Sequence, residues 1–284
     1  MMTDGALAGR TLLMSGGSRG IGLAIAVRAA QEGANIAFIA KTDKPDPRIP
    51  GTVHSAAEAI EHAGGRALPI VGDIRDADTV STAVEHVVET FGGIDFVVNN
   101  ASAIALTGYG DLSLKRYDLM YDINVRGTFV LTSAALPYLL KSPDPRVLTL
   151  SPPINLDRRW LSEYAPYTAS KYAMTLLTLG LAEQYRGAGG AGGAGIVANC
   201  LWPETLIATA AVQNVVAGDE GIRSSRRPEI MADAAAILLT RSAAAGSGEC
   251  LIDADVLRAH GITDLSPYAH DGAEDCDLER DLFL

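Results

Sequence analysis

Tyr167-Thr168-Ala169-Ser170-Lys171 sets a phenol and an ammonium four residues apart, one helical turn along the same face. A free phenol titrates near ~10 and exchanges protons poorly at neutral pH. A cation beside it favours the phenolate and lowers that value. The pair therefore predicts general acid or base work by Tyr167 at a carbonyl or alcohol oxygen. Plain helix surfaces carry such pairs too, so the weight of this one depends on what surrounds it.

Ser15-Gly16-Gly17-Ser18-Arg19-Gly20-Ile21-Gly22 supplies that context, between an apolar run and a helical pattern. Glycines at a strand-to-helix turn let the backbone approach a pyrophosphate, and the helix N-terminus stabilises its charge. The spacing Gly-x-x-x-Gly-x-Gly differs from the commoner Gly-x-Gly-x-x-Gly, and a structural turn is the plain alternative. The next apolar run ends Ile39-Ala40-Lys41-Thr42. An NAD site usually carries an acid here, on the ribose 2′-hydroxyl. Lys41 takes that place, and Arg19 sits within the turn. Two cations suit a 2′-phosphate, so NADP(H) is expected over NAD(H); solvated surface cations are the alternative.

The elements that must position these groups alternate along the chain. Strands are predicted over Thr11–Met14, Asn35–Ala40, Ala67–Val71, Ile94–Val98, Arg146–Leu150, Ile196–Leu201 and Glu249–Ile252. Helices are predicted over Ile21–Ala30, Thr52–Ala63, Asp76–Phe91, Leu114–Leu140, Tyr164–Arg186 and Pro228–Thr240. In the third, Val80, Val84, Val87, Val88 and Phe91 share a face, with Asp76 as cap and Gly92-Gly93 as stop. Pro137 is positioned to kink the fourth near its end. The strands are continuously apolar, as buried parallel strands are. Repeated β-α-β units predict an α/β fold, one doubly wound parallel sheet with helices on both faces. No composition break marks a second domain, so residues 1–284 are read as one domain. Three loop readings complete the pattern: prolines at 45, 47 and 50, a Gly/Ala stretch over Gly187–Gly195, and a polar, acidic tail from about 254.

Composition excludes other classes. With 23 Lys+Arg against 34 Asp+Glu the net charge is −11, which argues against nucleic acid and anionic membranes as partners. No apolar run is long enough to span a membrane, and Met1–Arg10 has no leader pattern. Cys200, Cys250 and Cys276 are odd in number and widely spaced, which predicts reduced thiols in a cytoplasmic setting and no zinc site.

Taken together, the sequence from about Arg10 to Ile252 resembles the short-chain dehydrogenase/reductase family. The resemblance rests on the Gly16/Gly20/Gly22 turn, Asp73-Ile74, Asn99-Asn100-Ala101-Ser102, Asn124, and Tyr167 with Lys171. It implies a Rossmann domain that moves a hydride between NADP(H) and a carbonyl/alcohol pair, with Tyr167 as proton donor or acceptor. It implies that Gly16, Ser18, Gly20, Ile21 and Gly22 hold the cofactor's phosphates and that Asp73 and Ile74 hold its adenine. Asn100, Ala101 and Ser102 would line the adenosine ribose, and Pro203 and Thr205 would flank the nicotinamide. Lys171 would bind the nicotinamide ribose, and Asn124 would anchor a water in a proton relay. Bland roles stand beside these: Asp73 as a helix cap, Asn124 as a buried polar group. Relatives pair their two long helices, so a homodimer or homotetramer is implied.

Two residues depart from the family pattern. The family's serine thirteen residues before the tyrosine falls on Ile154, while the nearest strand-end serine is Ser151, followed by Pro152-Pro153. Ser151 is the candidate for that role. The family's Pro-Gly is Pro203-Glu204, which puts an acid beside the expected nicotinamide pocket. A substrate loop is expected from Glu204 to Arg227; its apolar start, Leu206-Ile207-Ala208, points to a small or apolar substrate such as a fatty acyl or steroid-like carbonyl. The rival reading is a cofactor-binding regulator or scaffold with weak catalysis, which the doubtful serine favours. A lyase or epimerase ranks below both.

Overall fold

Alternation along a strand sends successive side chains to opposite faces, and here both faces are covered. β1 (Thr11–Ser15) sends Leu12 and Met14 to one core and Leu13 to the other. β2 (Asn35–Ala40) divides likewise, Phe38 on the first side and Ala37 and Ile39 on the second. β3 (Arg66–Val71) forms one edge and is half-exposed. β4 (Phe96–Asn99), β5 (Arg146–Thr149) and β6 (Val197–Trp202) are buried throughout, and β7 (Cys250–Ile252) closes the other edge. All pairs are parallel, in the order β3-β2-β1-β4-β5-β6-β7. The predicted Rossmann sheet is therefore present, with its switch in direction between β1 and β4. The computed structural model describes residues 5–46, 50–187, 195–242, 246–270, 273 and 277–284. Pro47, most of the Gly187–Gly195 stretch and Cys276 lie outside them.

The first core is closed by α1 (Gly20–Gln31) and α2 (Val53–His62), with Ile25 and Ile60 facing inward. The second is closed by α3 (Ala77–Phe91), through Val80, Val84 and Val87. Asp76 caps α3 by accepting from the Asp78 and Thr79 N–H groups, and Gly92 ends it at φ 88°. The long helix expected over Leu114–Leu140 is instead three pieces. α4 (Leu114–Tyr121) passes into a π-helical segment, Asp122–Gly127, and then into α5 (Thr128–Leu139). The cause is Asn124, fully buried and drawn inward onto Ala103. Pro137 lies inside α5 close to its end.

A short α6 (Arg158–Ser162) precedes α7 (Ala165–Gln184), which carries Tyr167 and Lys171. α8 (Gly218–Arg223) lies in the loop after β6, and α9 (Glu229–Thr240) returns to the first core. Where the sequence suggests a polar tail, the chain first folds as α10 (Asp253–Ala259), whose Ala254 and Leu257 are fully buried against that core. The final residues then run back across the sheet's carboxyl edge. Phe283 among them is fully buried, so the apolar residues of this acidic stretch fold inward.

Candidate active site

The glycine turn leaves β1 at the switch point. Gly16 and Gly20 adopt φ +77° and +53°, a region glycine enters without strain. A Cβ on Gly22 would lie 2.4 Å from the Gly16 carbonyl oxygen and 2.5 Å from Asn100 Nδ2, so only glycine fits. Asn100 Nδ2 donates to the Ser15 and Gly16 carbonyls at 3.1 and 2.8 Å. Ser15 Oγ accepts from the Asn100 and Ala101 N–H groups at 3.2 and 3.1 Å. The turn and the end of β4 are thus clipped together, with backbone facing a cavity of about 1160 Å³. Ser18, Ile21, Ile74 and Ser102 line the same cavity. Ile74 is buried and occupies the space that Gly127 leaves by having no side chain.

Arg19 and Lys41 both reach this cavity. Arg19 Nη2 donates to Thr42 Oγ1 at 2.5 Å and to the Gly51 carbonyl at 3.2 Å, while its buried Nε finds no partner among the described residues. Burial holds this guanidinium below its ordinary value. Lys41 is exposed, with Nζ 3.6 Å from Asp73 Oδ2. Asp73 is gripped more closely by Arg75, at 2.6 Å, a partner that sequence spacing does not single out. Hydrogen bonds from Arg75 hold the Asp73 carboxyl down at about 2.

Tyr167 and Lys171 share the cavity with the turn, each only 2% exposed. Lys171 Nζ donates to the Leu150 carbonyl at 2.6 Å and lies 5.0 Å from the Trp202 ring. Burial pulls the ammonium down to about 7, partly offset by Cys200 and Asp281. The phenol, expected to be lowered by its lysine, is instead pushed up, first by burial and then by the Asp281 charge. Asn124 does not line the cavity. Its Oδ1 accepts from the Ala103 N–H at 2.7 Å, and Nδ2 donates to the Ala103 carbonyl and to Ser170 Oγ, both at 3.0 Å. Ser170 in turn donates to the Tyr167 carbonyl at 2.8 Å. Asn124 therefore braces the helix turn that carries the phenol.

Four other expected site residues are not brought to the cavity wall, and the first, Gly22, packs against the Gly16 carbonyl and Asn100 instead. Ser151 is fully buried and absent from the lining, its hydroxyl on the Cys200 side. Thr205 also stands behind the lining, paired with Arg280 by an antiparallel bridge, although Pro203 reaches the cavity. Glu204 turns away onto Arg226 at 2.7 Å and Arg258 at 3.0 Å, and its N–H donates to Asp253 Oδ1 at 2.8 Å. In their place the structure adds Asp281 and Leu282 to the wall. An acidic stretch far from the motifs offers no spacing from which these two could have been found. The expected substrate loop packs over the glycine turn, with Thr209 beside Gly20 and Leu206 and Ile207 buried.

Residues 10–219 match the short chain dehydrogenase family. The chain belongs to that family. Members of that family are oxidoreductases that bind a nicotinamide cofactor and act on small molecules. Ala40-Lys41-Thr42, Asn99–Ile104, Ser151–Leu156 and Leu201-Trp202-Pro203 resemble the reductase domain of hydroxysteroid dehydrogenase-like protein 2. The zebrafish protein of that name, from Danio rerio, is 46% identical over 269 residues, which is 95% of this chain and 63% of the relative. The chain thus spans under two thirds of that relative's length. A short chain dehydrogenase structure from Mycobacterium thermoresistibile is 50% identical, with a TM-score of 0.88 over 97% of this chain and 95% of that one. A short chain dehydrogenase from Burkholderia cenocepacia in complex with NADP is 28% identical, with a TM-score of 0.71 over 87% and 97% of the two chains. Among the described residues, no helix is long and apolar enough to cross a membrane.

Proposed function

We propose that the protein is an NADP(H)-dependent oxidoreductase interconverting a carbonyl and an alcohol, with Tyr167 passing the proton. The observation that carries this reading is that Tyr167, Lys171, the glycine turn and Arg19 line one continuous cavity. The residues fit the cofactor: Gly16 and Gly20, both at positive φ, carry the turn along the cavity without side chains, and the buried Nε of Arg19 has no partner among the described residues. When bound, NADPH supplies the hydride. The backbone of Gly16, Ser18, Gly20, Ile21 and Gly22 would hold the pyrophosphate, and Arg19 and Lys41 the 2′-phosphate. NADP in the Burkholderia relative accords with this preference. Asp73 and Ile74 would hold the adenine, while Asn100, Ala101 and Ser102 line its ribose. Pro203 would flank the nicotinamide.

Tyr167, pushed up by burial, stays protonated at neutral pH, the state that donates to a carbonyl oxygen. Lys171 is fixed on the Leu150 carbonyl one turn away, positioned for the ribose hydroxyls. Asn124 acts through the helix turn it braces. Leu206, Ile104, Trp202 and Leu282 give the wall an apolar character that suits a small or apolar carbonyl. The free thiols Cys200 and Cys250 accord with a cytoplasmic setting.

The test follows NADPH oxidation against a panel of aliphatic, acyl and polycyclic carbonyls. Turnover with NADPH well above that with NADH is expected. A second reading, a cofactor-binding regulator with weak catalysis, is favoured by Ser151 lying outside the cavity. Tight NADPH binding with no turnover across the panel would select it and overturn the first.

A further inference from the structure

An acyl or carbonyl site that polarises an oxygen gains from a second hydrogen-bond donor beside the proton donor. The β5 end supplies none here. Ser151 Oγ is buried outside the cavity without a hydrogen-bond partner among the described residues, Pro152 has no hydroxyl, and Ile154 is exposed. What lines the cavity with Tyr167 and Lys171 is Asp281.

Asp281 is held there by backbone on both sides. The Leu206 N–H donates to the Glu279 carbonyl at 2.9 Å, and the Asp281 N–H donates to the Glu204 carbonyl at 3.1 Å. Trp202 Nε1 donates to the Leu282 carbonyl at 2.9 Å, and Asn155 Nδ2 to the Phe283 carbonyl at 2.8 Å. Phe283 adopts φ 75°, the one non-glycine residue with positive φ among the described residues. Such a conformation costs about 1–3 kcal/mol and persists only where the surroundings impose it. The surroundings are five rings with centroids 5.4–6.5 Å from that of Phe283: Trp160, Tyr164, Tyr167, Tyr172 and Trp202. Tyr167 is itself in this cluster, so one packing event fixes both the phenol and the strap that carries Asp281. Asp281 Oδ1 accepts from the Leu282 N–H at 2.6 Å, while Oδ2 makes no hydrogen bond among the described residues.

We propose that Asp281 contributes the second hydrogen bond at the reacting oxygen, beside Tyr167, in the role that Ser151 cannot reach. The inference rests on the carbonyl/alcohol reading above. To donate, the carboxyl must carry its proton. Burial, opposed by the hydrogen bond from the Leu282 N–H and by Lys171 and reinforced by Asp253 and Glu279, pushes it up to about 8. The charged and titratable groups around it are therefore Lys171, Tyr167, Asp253 and Glu279.

Two readouts test the assignment on the intact chain. The first is steady-state kinetics of Asp281→Ala and Asp281→Asn with NADPH and the best carbonyl of the panel. Asp281→Ala should lower kcat about 10²-fold and leave NADPH affinity unchanged, and Asp281→Asn, with an N–H donor, should restore most of it. The wild-type rate should fall as pH rises through about 8, and Asp281→Asn should lose that limb. An unchanged kcat in Asp281→Ala, or an equal loss of kcat in Ser151→Ala, overturns the proposal. The second is the infrared difference between wild type and Asp281→Asn, which requires no turnover. A protonated-carboxyl band near pH ~6 that disappears near pH ~10 supports the assignment, and its absence overturns it. Failure of the function reading differs from both, since the wild-type chain would then oxidise no NADPH.

Discussion

At the residue scale, the chemistry is set by which groups are taken out of water. Tyr167 and Lys171 are legible in the sequence because a helical turn fixes their spacing, wherever the helix sits. Their proton affinities are not legible, because these depend on burial and on Asp281, more than a hundred residues away along the chain. Arg19 and Lys41 are legible as cations at the right turn and strand end, whereas the clasp of Arg75 on Asp73 comes from a loop conformation. Arg19→Ala should weaken NADPH binding about 10- to 10²-fold, the loss of a charge-assisted contact of ~1.5–3 kcal/mol, and leave NADH binding unchanged. Fluorescence titration with each cofactor reads this directly. Equal loss for both cofactors would place Arg19 away from the 2′-phosphate.

At the scale of elements, hydrophobic period identifies strands and helices well because burial enforces it. It misses the π-helical segment at Asp122–Gly127, because that deviation answers to a single side chain, Asn124, reaching Ala103. π-helical insertions of this kind collect at functional sites. It also misses the fate of the final residues, whose net acidity hides three apolar positions that fold inward. Phe283→Ala should cost about 3–5 kcal/mol at that site. The change should appear as lost hydrogen-exchange protection at the Asp281 and Leu282 N–H groups. Retained protection there would show that the backbone contacts to Glu204 and Leu206 suffice. Gly22→Ala should lower stability by about 1–3 kcal/mol and abolish cofactor binding, since the new methyl meets backbone and Asn100, not a flexible side-chain end. Thermal melts with and without NADPH measure both effects.

For the whole molecule, the single parallel sheet was legible from the alternation of apolar runs and helical stretches, because each β-α-β unit repeats the same crossover. The net charge of −11 was legible too, but not the few buried acids that give it a pH dependence. Asp253 is fully buried and pushed up to about 7, first by burial, while its Oδ1 accepts from the Glu204 and Ala254 N–H groups. A carboxyl raised on folding stabilises most below the free value of ~3.9, and that contribution is lost as pH rises through about 7. Asp253→Asn keeps the acceptor and removes the proton, so its melting temperature should gain on wild type as pH rises from ~4 to about 7. Asp281 acts in the same direction, with its window reaching about 8. Exposed Leu114 and Phe129 on α4 and α5, and Leu176 on α7, support the proposed homo-oligomer, which light scattering would report as a dimer or tetramer mass. A monomer mass would contradict it.

On the proposed reading, this cavity reduces or oxidises a carbonyl/alcohol pair through Tyr167. The measurement that tests it most directly is NADPH oxidation by wild type and Tyr167→Phe on the same carbonyl, with NADPH affinity measured alongside. The phenylalanine keeps the ring in its aromatic cluster and removes only the hydroxyl. Tyr167→Phe should lose about 10²-fold or more in kcat with NADPH affinity unchanged. Equal turnover in the two proteins would contradict it.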